Sequence, residues 1–308
     1  MRVADKLVEH GLRLLALSSV ATLLSIAFFI VREGAPLLYG AGLANFLSTD
    51  WRPLAQHYGI GAMMVGSALV TGGALLVGVP LGIACALVLG EMAPQRARLV
   101  LKPTIEILAG IPSVVYGFMG IAVLLPWIRQ NLGGPGASGL AGAVILGVMI
   151  LPTIIAISLD ALRAVPASYR EASLAMGATQ WQTIWRVVLP AARSGIVAAV
   201  ILGVGRAVGE TMAVVMVTGN AVQIPNTPLE PLRTLTANLA LEMAYAAGDH
   251  RSALFATAIV LLLAIVILNA LAGLLRSGRL RRPRWHRQPR ARSRLPATDA
   301  EGAPLVSR

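Results

Sequence analysis

Cysteine, lysine, histidine and charge are all scarce in this chain, and each scarcity closes off a class of protein. The single cysteine, Cys85, lies in an apolar run, which excludes an internal disulfide and a thiolate metal cluster. Four histidines (His10, His57, His250 and His286) are scattered without ligand spacing, so no metal is implied. The only lysines are Lys6 and Lys102, neither in a glycine-rich context, and the phosphate-cradling pattern GxxxxGK[ST] is absent. The chain is therefore not expected to hydrolyse ATP by that chemistry, and no cofactor of its own is expected. Charged residues make up 13% of the 308, against 56% hydrophobic. A soluble domain of this size cannot bury so much apolar surface, and the class indicated is an all-α polytopic membrane protein.

A net charge of +12 raises nucleic acid as a partner, but the distribution of the charge argues against it. Apolar runs long enough to span a bilayer, which takes roughly 20 residues, lie at about 14–31, 60–90, 104–128, 139–160, 195–218 and 252–275. The first run lacks a small-residue cleavage site and reads as a retained helix. The second is long and contains Pro80, which predicts a tilt, a kink or an extension beyond the bilayer. With the N-terminus inside, 20 Lys and Arg residues fall on the cytoplasmic side and five on the other, leaving Arg206 within a span. The excess of basic residues places both termini in the cytoplasm of a multi-pass protein. The Arg-rich tail, 276–308, is expected to be disordered and to lie against anionic lipid headgroups.

The organisation expected is therefore a first span with an external loop (1–59), a membrane domain (60–275) and the tail. Of the two long external segments, about 32–59 and 219–251, the second holds Leu232, Leu235, Leu239 and Met243 at helical spacing. This spacing predicts an amphipathic helix that caps the bundle.

The cytoplasmic loop "RAVPASYREASLAMGATQWQTIWRVVLPAARSGI" (163–196) is unusually structured for a connection. Ser168 with Glu171, and Thr179 with Gln182, form two capping-box patterns. Gly177 supplies the stop between the two short helices, and Pro190 is expected to end or kink the second. Such a loop reads as a docking surface. A helix–glycine–helix unit also occurs in DNA-binding proteins, but this one is short, tethered to two spans and lacks a third helix.

The span that follows carries Arg206 and Glu210, four residues apart in "ILGVGRAVGETMAVVMVTG". An arginine at a helix centre costs about 2.5–3.5 kcal/mol on insertion scales. On a continuous helix Glu210 lies one turn further out on the same face. A self-neutralising pair is one account, but the cation-first order is the weaker one and apolar packing serves stability better. A cation lowering the barrier for an anion accounts for the pair better. Ser113, Tyr116 and Thr153 are other polar groups in spans, read as bonding their own helix backbone. Glu106 and Asn269 read as structural, Glu106 within reach of Lys102.

The run Glu171-Ala172-Ser173, then Gly177, then Val187 and Leu189-Pro190, resembles the EAA loop of ABC-importer permeases, with Ser173 and Val187 as mild departures. The strings at 107–120, 163–196 and 205–220 further resemble the permease subunits of bacterial high-affinity phosphate importers, of the PstC type rather than the paralogous PstA type. The likeness extends over most of 60–275. It implies the type I ABC-importer permease fold with six spans, and a docking loop in which Glu171, Ala172, Gly177, Leu189 and Pro190 meet an ATPase. The implied partners are a PstA-like second permease, two ATPase subunits that bind the ATP, and a periplasmic phosphate-binding protein. Arg206 and Glu210 match the charged residues that the family associates with phosphate translocation. The phosphate itself is moved unchanged, so the chain is no enzyme. Arg206 offers several donors to phosphoryl oxygens, and Glu210 is an acceptor for a proton that hydrogen phosphate has and sulfate at neutral pH lacks. The alternatives are a permease for sulfate or molybdate, or an ATP-independent anion channel or exchanger, which would have no use for an ATPase dock.

Overall fold

The computed structural model describes residues 2–40 and 43–277; the basic tail from residue 278 lies outside them. Helix α1 (Arg2–Gly40) is followed by a short α2 (Leu43–Phe46) and a two-stranded hairpin, β1 (Trp51–Arg52) and β2 (His57–Tyr58), with Trp51 opposite Tyr58. The bundle then runs through α3 (Gly61–Leu87), α4 (Gln95–Ala109), α5 (Ser113–Met119), α6 (Leu125–Asn131) and α7 (Gly139–Arg163). Two loop helices, α8 (Ala167–Ala175) and α9 (Gln180–Thr183), precede α10 (Leu189–Gly209), α11 (Met212–Val217), α12 (Leu235–Glu242) and α13 (Gly248–Ser277).

Among the described residues, six helical stretches are long and apolar enough to cross a bilayer: Val8–Tyr39, Gly61–Met92, Ser113–Asn131, Gly139–Arg163, Gln180–Gly209 and Gly248–Leu271. Of these, α7 is the most buried and forms the axis of the bundle. Its widest interface is with α3, and α10 packs on it from another side. Close approach comes from missing side chains. A Cβ on Gly78 would meet Ile150 at 2.8 Å, and one on Gly82 would meet Ile154 at 2.7 Å. On α10, a Cβ on Gly203 would meet the same Ile154 at 2.9 Å. Ile154 thus fills the notch between α3 and α10, since small residues let membrane helices approach closely. Helix α1 lies outside this core against α13, where Phe29 and Phe255 meet edge to face at 5.5 Å. Its outward side chains, among them Leu14, Leu17, Leu24 and Phe28, are exposed, as a lipid-facing helix requires.

Among the described residues, three π turns interrupt the helices, at Val88–Met92, Gly120–Leu124 and Ile184–Val188. A proline follows each by two residues: Pro94, Pro126 and Pro190. Proline cannot donate, and its ring crowds the carbonyl four residues back. One inserted residue relieves both, and the N–H just before proline finds a carbonyl five residues back, as Leu189 does with Ile184. For this reason Pro190 neither ends nor kinks the loop's second helix out of line, contrary to the expectation. The chain remains helical from Gln180 to Gly209.

Other boundaries also differ from the expected ones. The span expected at 104–128 is broken: α4 stops at Ala109, and Pro112 holds an extended backbone before α5, because a proline forces the residue before it out of the helical region. Tyr116 reaches back across this break, its hydroxyl donating to the Leu108 carbonyl at 3.0 Å. The capping box expected at Ser168 is absent. Helix α8 begins two residues earlier than such a box would start it, with Pro166 at its cap position and no side-chain cap bond. The external amphipathic helix is shorter than its leucine spacing predicted. Leu232 precedes it and pairs its backbone with Gly219, and Met243 falls past its end. It does cap the bundle, packing on α13 and α3.

Candidate functional site

The two charges singled out in the sequence flank a helix end. Helix α10 terminates at Gly209, Glu210 is extended (φ −69°, ψ 131°), and α11 starts again at Met212. The expected continuous helix over 195–218 is therefore corrected, and with it the shared face and i,i+4 pairing of Arg206 with Glu210. No ion pair joins them among the described residues. The local reason lies in the glycines: Gly205 and Gly209 weaken the last turn, and the side chains beyond it satisfy the freed backbone. Glu210 Oε1 accepts the Ala213 N–H at 3.1 Å, and the Thr211 hydroxyl donates to the Gly209 carbonyl at 3.2 Å. A break inside a spanning segment is tolerated only where protein or an aqueous path surrounds it.

Arg206 occupies the last turn of α10, where the helix dipole favours a cation. It is half-buried, and its Nη1 donates to Thr153 Oγ1 at 3.1 Å. Thr153 sits near the middle of α7 beside Pro152, which puts Arg206 at mid-depth. Sequence reasoning had set Thr153 aside as a hydroxyl bonding its own helix; what it missed was a partner 53 residues away. Among the described residues Arg206 bonds only Thr153, so the rest of its planar donor fork is unengaged by them.

The far side of the break is tied to the segment around α12. The Thr236 hydroxyl donates to the Glu210 carbonyl at 2.9 Å, and the Leu235 N–H to Ser67 Oγ at 2.9 Å. A buried carboxylate, Glu242, anchors this segment: it accepts from Arg233 Nη1 at 2.6 Å and from Trp51 Nε1 at 2.9 Å, and faces His250 Nε2 at 2.9 Å. Arg233 Nε also donates to the Asn220 carbonyl at 2.8 Å. None of this cluster was found from sequence, because its members come from three separate segments.

On the opposite side of the bundle, α8 and α9 meet at Gly177, whose φ of +82° is the left-handed conformation expected of it. The Thr179–Gln182 capping box is present in both directions. Glu171, Ala172 and Gly177 share the exposed loop surface. Pro190 is exposed at the start of α10, while Leu189 turns inward onto the core around Leu162 and Val188. The loop also exposes apolar groups not singled out beforehand: Met176 at 88%, and Trp181 and Trp185, which meet edge to face at 5.6 Å. Among the described residues no group of His, Cys, Asp and Glu is placed to hold a metal.

A six-span bundle with a charge held at mid-depth and a structured loop at one end has the form of a membrane transport subunit. The family model of the binding-protein-dependent transport system inner membrane component matches residues 78–281. The chain belongs to that family and is a multi-pass inner membrane permease. It is 45% identical over 236 residues to the probable ABC transporter permease protein YqgH of Bacillus subtilis, covering 75% of this chain and 76% of that protein. It is 36% identical over 252 residues to the phosphate transport system permease protein PstC of Mesorhizobium japonicum, covering 75% and 77%. With the PstC of Xylella fastidiosa it shares 32% identity over 88% of this chain and 91% of that one. Among solved structures, a bacterial ABC transporter of alginate matches with a TM-score of 0.56 at 16% identity, over 85% of this chain and 95% of that one. An inward-facing MetNI methionine transporter matches with a TM-score of 0.53 at 21% identity, over 71% and 93%. These two likenesses concern the fold.

Proposed function

We propose that this chain is the permease subunit of an ATP-driven phosphate importer, with 60–275 as its permease domain and both termini in the cytoplasm. It forms the path with a second, PstA-like permease. Two ATPase subunits, which bind the ATP, dock on the loop of α8 and α9, and a periplasmic phosphate-binding protein delivers the anion. The observation that carries the reading is Arg206: a cation at mid-depth, held by one hydroxyl, with its remaining donors unengaged. Such an arrangement offers an anion charge-assisted hydrogen bonds without first breaking an ion pair. The break at Glu210 supports it, because a helix that ends inside the bundle brings its terminal groups to the path. Glu210 Oε2 has no partner among the described residues, and it is the acceptor for the hydroxyl of hydrogen phosphate. Relatives named as phosphate permeases favour phosphate over other oxyanions. The exposed Met176 and Trp181 support the dock, since apolar side chains on a cytoplasmic loop have no lipid to face.

The test is uptake of labelled phosphate by the assembled complex in liposomes. Arg206→Gln should abolish uptake while the complex still assembles. Because the two charges are unpaired, adding Glu210→Gln should restore nothing. Near-wild-type phosphate uptake in the double variant would overturn the site. A wild-type complex that moves sulfate or molybdate and ignores phosphate would overturn the substrate.

A further inference from the structure

The cytoplasmic end of α3 carries a carboxylate that the reading above does not use. Glu91 lies in the π turn Val88–Met92, and its side chain is 10% exposed. Arg170 of α8 grips it with both arms, Nη2 to Oε1 at 2.6 Å and Nε to Oε2 at 3.1 Å. The same guanidinium donates to the Leu162 carbonyl at 3.0 Å and the Val165 carbonyl at 2.8 Å, at the cytoplasmic end of α7. Gln180 of α9 approaches from the other side, its Nε2 donating to the Glu91 backbone carbonyl at 3.2 Å. Both loop helices are therefore fastened to one residue, one through its side chain and one through its main chain.

Above Glu91 the packing continues through Leu89 and Ala86, which share a core cluster with Ile155 and Leu159 of α7. Nine residues back from Glu91, Gly82 of α3 leaves the room that Ile154 of α7 fills. The neighbour of Ile154 is Thr153, which holds Arg206. We propose that Glu91 is a positioning residue for transport: the joint through which movement of the cytoplasmic loop shifts α3 and α7, and with them the partner of the path's cation. The inference rests on the ATP-driven reading of the loop. The geometry favours transmission over mere anchoring, because a bidentate arginine–carboxylate pair fixes direction as well as distance. A loop needing only attachment has its hydrophobic seat already, in Val165, Val188 and Ala192.

The experiment compares ATP hydrolysed with phosphate taken up by the complete complex in liposomes, the wild type serving to establish phosphate uptake independently. Glu91→Gln keeps size and acceptor oxygen but removes the charge. We expect assembly and ATP hydrolysis near wild type with uptake reduced about tenfold, so that the ratio of hydrolysis to uptake rises by the same factor. Gln180→Ala, which removes only the main-chain tie, should raise the ratio two- to threefold, and the two together should exceed either. Arg170→Lys retains charge but loses the fork and should behave as Glu91→Gln does. An unchanged ratio in assembled Glu91→Gln and Arg170→Lys complexes overturns the proposal. So does failure of both variants to assemble, which would assign the pair to architecture. A wild-type complex inactive toward phosphate would instead fault the substrate, which the stimulation of hydrolysis by other loaded binding proteins would reveal.

Discussion

Arg206 shows how little protein is needed to keep a charge in a membrane-spanning segment usable. A buried ion pair would hold the cation but would have to be broken for each anion that passes. A single hydroxyl and the negative end of a helix hold it while leaving its donors available. On the proposed reading, Thr153 matters through orientation. Thr153→Val keeps shape and removes the oxygen. With hydrogen bonds to charged groups worth about 1.5–3 kcal/mol, it should lower maximal phosphate uptake by about tenfold or more, without loss of assembled complex. Thr153→Ser should recover most of the activity, and wild-type rates in Thr153→Val would exclude the role. From sequence, the two charges were conspicuous, since both were anomalous within one apolar run. Thr153 was not, because threonine in a span ordinarily bonds its own backbone and nothing local marks a partner 53 residues away. The same holds for Arg170, which entered the sequence reading only as one positive charge among many.

Among the helices, those with a strong local signal were legible and those governed by proline were not. The loop's glycine stop and second capping box stand where the pattern put them. The first box failed because Pro166 starts α8 itself and leaves Ser168 inside the first turn. Hydrophobic runs located all six crossings, yet two of the runs are interrupted helices, and an apolar run looks the same whether its backbone is helical or broken. The Gly177 turn offers a direct check on the dock. A β-branched side chain at φ +82° is strained by about 1–2 kcal/mol, and nothing crowds the site otherwise. Gly177→Val should leave membrane insertion intact while ATPase subunits no longer co-purify. Normal co-purification with normal transport would remove the loop from the coupling role.

Taken together, the tightest packing and the largest polar clusters of the molecule lie at different depths. Its tightest packing runs along α7, through glycines that admit α3 and α10, while the polar clusters lie toward the two ends. At one end Glu242 gathers Trp51, Arg233 and His250; at the other Glu91 gathers the loop helices. The sequence from Gly278 onward lies outside the described residues. Truncation there should preserve phosphate uptake to within about twofold, a small difference on a free-energy scale, measured at matched protein levels. Uptake lost at normal abundance would give the basic segment a part in transport.

The π turn at Ile184–Val188 has a consequence for the direction Arg206 faces. Each residue of an α-helix turns the chain by about 100°, and this turn inserts one residue between the loop and the cation. The azimuth of Arg206 is thus set by a local winding defect some twenty residues away as much as by the side chains around it. Wound as plain α-helix, the same residues would span nearly the same length, at about 1.5 Å per residue. Arg206, however, would stand about a quarter of a revolution away from Thr153. The proline that makes the defect necessary is in this sense part of the aiming of the site, although it touches nothing there.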